Sequence, residues 1–114
     1  MWIFTTSGFI SAVQDIEDRT IIVRSRDRAS LRPIAGKFQI KTKHTPYGDY
    51  PYRVIVSSEE FVAWVCKEAS NVNYRNFKNE VSSLLGKKFS SALSKVWSTM
   101  HDVEDTEARR KQFN

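Results

Sequence analysis

The sequence is poor in the groups from which active sites are built. Its single cysteine, Cys66, cannot close an internal disulfide, and its two histidines, His44 and His101, are too far apart for metal-ligand spacing. Four isolated glycines, Gly8, Gly36, Gly48 and Gly86, leave no glycine-rich loop to cradle a phosphate. No apolar run approaches the ~18 residues that cross a bilayer, and residues 1–4 lack the basic start and long apolar stretch of a secretion signal. The expectation is a cytoplasmic protein with no membrane partner, no cofactor and no structural metal.

What is present is an ordinary globular balance: 114 residues, 40% hydrophobic, 12% aromatic and 27% charged. One core suffices, so a single α+β domain is expected over residues 1–103, with a polar tail over 104–114. A net charge of +5 favours acidic partners but also lies within the range that merely keeps a protein soluble.

Residues 1–14 are rich in β-branched and aromatic side chains, broken by Ser7-Gly8, and predict two strands joined by a tight turn. A third strand follows over residues 20–26. Asp27 is a candidate N-cap for a short helix carrying Ala29, Leu31 and Ile34, limited by Pro33 and ended by Gly36. Phe38, Ile40 and Thr42 alternate with Gln39, Lys41 and Lys43, which predicts a fourth strand. A loop over residues 44–51 leads to a fifth strand at 52–56.

Ser57 and Glu60 have the spacing of a capping box ahead of Phe61, Val62, Trp64 and Val65. Asn73 is the candidate cap of a second helix ending at Gly86. Phe89, Ala92, Leu93, Val96, Trp97 and Met100 then repeat at spacings of three and four, a stripe expected to face a core. The whole reads as an antiparallel sheet of about five strands followed by two or three helices that pack on one face. Trp2, Trp64 and Trp97, with Phe9, Phe61, Phe77 and Phe89, are expected in the core.

Catalysis needs titratable groups brought together, and few are available. Neither histidine has the Ser or Cys surroundings of a nucleophile motif, and Cys66 between Val65 and Lys67 reads as a small packing residue. Asp15, Glu17 and Asp18 match no calcium loop and suit a solvated turn. Glu59 and Glu60 fall in a first helical turn, where they complement the helix dipole. A non-catalytic protein is expected.

One stretch suggests a partner. Over residues 24–43, Arg24, Arg26, Arg28, Arg32, Lys37, Lys41 and Lys43 face a single acid, Asp27. Strand alternation puts Arg24 and Arg26 on one face, and likewise Lys41 and Lys43. Tyr50 and Tyr52, projecting to one side with Arg53 opposite, would add stacking surfaces beside these cations. Cations interleaved with aromatics suit nucleic acid or another polyanion, phosphates pairing with charge and bases stacking on rings. The plainer alternative is a solvated sheet edge whose charges deter aggregation.

Met1-Trp2-Ile3-Phe4-Thr5, Gly8-Phe9-Ile10-Ser11, Asp49-Tyr50-Pro51-Tyr52-Arg53-Val54, Asn73-Tyr74 with Asn76-Phe77-Lys78, and Val96-Trp97-Ser98 resemble segments of a group of small uncharacterised bacterial and bacteriophage proteins. The resemblance implies a single compact unit of phage or mobile-element origin, and it carries no activity, cofactor or catalytic residue. It also suggests an alternative role, a protein-interaction module that modulates a host complex.

Overall fold

A computed structural model describes residues 1–105; the rest of the expected tail, 106–114, lies outside the described residues. Strand β1 (Trp2–Thr5) turns tightly into β2 (Gly8–Asp15), pairing Trp2 with Ser11 and Thr5 with Gly8. Gly8 is required on two counts. Its φ is +139°, and a Cβ there would overlap the Ser30 side chain.

Strand β3 (Thr20–Ser25) pairs antiparallel with β2. A 3-10 turn (Ala29–Leu31) then leads into helix α1 (Arg32–Phe38). Two short strands follow, β4 (Lys43–His44) and β5 (Tyr52–Val56), completing an antiparallel sheet of order β1-β2-β3-β5-β4. β3 is therefore central, and β1 and β4 are the edges.

Asp27 anchors the turn after β3. Its carboxylate accepts from the Ser30 N–H at 3.1 Å and the Ser30 hydroxyl at 2.7 Å, while Ser30 Oγ accepts from the Phe9 N–H at 3.1 Å. Ser25 Oγ donates to the Phe9 carbonyl at 3.0 Å. These bonds tie β2, β3 and the 3-10 turn together and leave buried Ser25 and Ser30 satisfied.

Three expectations between residues 27 and 44 need correction. Because the 3-10 turn precedes it, α1 starts at Arg32, so Pro33 sits in the first helical turn, where its missing N–H is harmless. Gly36 lies inside the helix, and left-handed Gln39 (φ 54°, ψ 46°) ends it, with the Ile40 N–H returning to the Ala35 carbonyl at 2.9 Å. The expected strand over 38–43 thus shrinks to Lys43–His44. Phe38 and Ile40 do pack on the core, but from a helix end and its exit rather than from a strand.

Helix α2 (Ser58–Ser70) begins with the expected capping box, Ser57 Oγ accepting from the Glu60 N–H at 3.0 Å and Glu60 accepting from the Ser57 N–H at 2.8 Å. Helix α3 (Phe77–Leu85) is capped by Asn76 and not by Asn73. Asn76 Oδ1 takes the Asn79 N–H at 3.0 Å, whereas Asn73 falls in the irregular link before it. Gly86, at φ 91°, separates α3 from α4 (Lys87–Thr99), which runs into a final 3-10 turn (Met100–Val103). No helix among the described residues is long and apolar enough to cross a membrane.

The main core lies on one sheet face, called inner here. Ile10 and Ala12 of β2, Val23 of β3, and Val54 and Val56 of β5 meet Leu31, Ile34 and Trp64 from the 3-10 turn, α1 and α2. Val81 and Leu93 are buried in α3 and α4, outside that cluster. The stripe on α4 outruns the core it meets. Leu93 is buried, but Val96, Trp97 and Met100 are exposed, and so is Trp2; of the tryptophans only Trp64 is a core residue.

Candidate functional site

Alternation sends every second residue of the strands to the outer face, and the register aligns them across the sheet. Trp2 pairs with Ser11, Ser11 with Arg24, Arg24 with Arg53, and Arg53 with Lys43. One row therefore crosses all five strands, aromatic at the β1 edge and cationic from the centre to the β4 edge. Arg26 lies just beyond β3 on the same side.

Arg24 and Arg53 are half-buried, and the Nε of each is buried without a hydrogen-bond partner. Arg24 donates from Nη2 to Ser11 Oγ at 2.9 Å. The Tyr50 ring holds both neighbouring guanidinium groups, Arg24 at 4.6 Å and Arg26 at 5.0 Å from its centroid. Among the described residues no carboxylate lies within ion-pair distance of Arg24, Arg26, Arg53 or Lys43.

Beside the cations the outer face is aromatic. Phe4 and Phe9 stack with centroids 4.6 Å apart, and Trp2 meets Phe9 edge-on at 6.0 Å. Tyr50 closes this group, 6.5 Å from Phe9. Together with helix α4 these rings line a cleft of about 650 Å³, to which the helix contributes Phe89, Leu93 and Val96, and Lys88 and Arg26 belong to the same lining.

Of the six residues singled out in the sequence, the fold brings four together: Arg24, Arg26, Lys43 and Tyr50. Lys41 precedes the two-residue β4 and has no place in the row. Tyr52 pairs with Ser25 and packs against the inner core, its ring stacked on His44 at 4.8 Å and covered by Arg28 at 5.1 Å. It lies on the side of the sheet opposite Tyr50 and outside the row. Tyr50 and Tyr52 thus point to opposite sides, because alternation starts only at Tyr52 and the turn through Pro51 sets Tyr50 separately.

Two contributors were overlooked. Arg53 belongs to the row, and the signal was its place between Tyr52 and Val54, whose inward facing turns Arg53 outward. Trp2 joins the row from the β1 edge and not the expected core, because a tryptophan near the end of an edge strand has fewer neighbours to bury it. Among the described residues no group of three or more His, Cys, Asp or Glu could hold a metal ion. His44 and Cys66 line neither this cleft nor the smaller one between β1 and α2. Comparison with protein-family models, curated proteins and solved structures gives no match.

Proposed function

We propose that this is a non-catalytic, cytoplasmic binding protein that holds nucleic acid or another polyanion on the outer face of its sheet. The observation carrying this reading is the Arg24-Arg53-Lys43 row with Arg26 beside it, cations without counter-ions next to aromatic rings. Edge protection accounts for Lys43 on β4 but not for arginines on β3 and β5, which are interior strands with no free edge to guard.

Fluorescence anisotropy with labelled single- and double-stranded oligonucleotides tests the proposal. Binding is expected at low salt, and with about four phosphates neutralised the log–log salt slope for a single strand is about −3. Absence of binding to either form at low salt refutes it.

A second reading, a protein-interaction module, is favoured by a separate observation: Leu84, Trp97 and Met100 leave apolar surface of α3 and the end of α4 in water. A partner captured after nuclease treatment by the native chain, and lost with Trp97→Glu, is the result expected from it.

A further inference from the structure

We propose that the polyanion is specifically a single-stranded nucleic acid, whose unpaired bases stack on Trp2 and enter the aromatic cleft under α4. This rests on the reading that the basic row holds phosphates. Trp2 and Arg24 share one registered row two strands apart, so a base platform and a phosphate site lie roughly 10 Å from each other on one surface. Trp2 keeps 69% of its surface in water, so folding does not account for an indole at that position.

The cleft extends that platform. Its volume of about 650 Å³ suits a small planar group, and Phe4, Phe9, Tyr50 and Phe89 all line it. Arg26 and Lys88 belong to the same lining and supply cations for the phosphates of a strand whose base enters it. Asp27, the one acid in the lining, is engaged by the Ser30 N–H and hydroxyl at 3.1 and 2.7 Å.

A duplex cannot use this arrangement. Its bases present their faces to each other, and only an unpaired or extruded base reaches a ring. A polyanion surface without the cleft would take duplex, single strand and a base-free strand according to charge alone.

The test compares oligothymidylate, an abasic strand of equal length and a duplex, by anisotropy with the full chain at one salt concentration. Oligothymidylate is expected to bind about tenfold or more tighter than the abasic strand. Trp2→Ala should narrow that difference by weakening oligothymidylate binding more than abasic binding, and an undiminished difference counts against stacking on Trp2. Photocrosslinking of a bromodeoxyuridine strand to the native chain gives an independent readout, with adducts expected at Trp2, Tyr50 or Phe89.

Equal binding of the abasic strand or the duplex, or adducts only elsewhere, overturns the cleft proposal and leaves the basic-row reading standing. No binding of any strand overturns both.

Discussion

Arg53 separates a residue kept for binding from one kept for folding. It stands directly opposite Arg24 on adjacent interior strands, half-buried, with no carboxylate within ion-pair distance among the described residues. Like charges facing each other across a sheet destabilise it by roughly 0.2–1 kcal/mol, and the buried, unpartnered Nε adds to that penalty. Arg53→Gln removes the repulsion and keeps a polar side chain. Stability should therefore hold or rise by up to about 1 kcal/mol, which for a domain of this length raises Tm by up to roughly 4 °C. Salt screens the repulsion, so the gain should shrink as ionic strength rises. The same variant should bind polyanion more weakly and lower the single-strand salt slope by about 0.7. Thermal unfolding by circular dichroism across a salt series, run beside anisotropy, measures both. A Tm that falls by several degrees refutes the reasoning, because Arg53 would then be holding the sheet together.

Two predictions concern the scaffold. Gly8→Ala forces an L side chain to φ +139° and against Ser30, and is expected to cost about 2 kcal/mol or more in denaturant unfolding. Ser57→Ala removes the Oγ that accepts from the Glu60 N–H at the start of α2, leaves the backbone bond from Ser57 N–H to Glu60, and should cost about 1 kcal/mol in the same assay, with little effect on oligonucleotide binding.

How legible the fold was depended on whether a signal was local. The β1–β2 turn, the third and fifth strands and the Ser57 cap each rest on residues within a few positions of one another, and each appears in the structure. The stretch 38–43 did not resolve, because Phe38 and Ile40 satisfy both a strand alternation and the apolar contact that closes a helix ended by a left-handed residue. Asn73, the expected cap, and Asn76 carry the same cap chemistry three residues apart, and it is Asn76 whose Oδ1 accepts the Asn79 N–H at the start of α3. The candidate site was legible only as charge. Joining Arg24 to Arg53 and Lys43 requires the β3-β5-β4 order, a long-range fact that no local pattern contains. The apolar repeat of α4 was visible, but not how much of it would find a partner.

That unfilled half of α4 separates the two functional readings. Helix α4 contributes Phe89, Leu93 and Val96 to the cleft over the outer face, whereas Trp97 and Met100 lie beyond it. Trp97 rests against α3, with Lys78 Nζ 4.2 Å from its ring centroid, and the His101 ring meets it edge-on at 4.9 Å, yet 58% of it stays in water. A double substitution, Trp97→Ser with Met100→Ser, removes apolar surface that the fold buries only partly, so the stability loss should be about 1 kcal/mol. Oligonucleotide affinity and its salt slope should not change, since neither residue belongs to the row or the cleft. If the variant binds oligonucleotides normally and loses a protein partner, the two surfaces act independently. If it loses oligonucleotide binding while remaining folded by circular dichroism, the nucleic acid must run along α4, and confinement of the site to the outer sheet face is wrong.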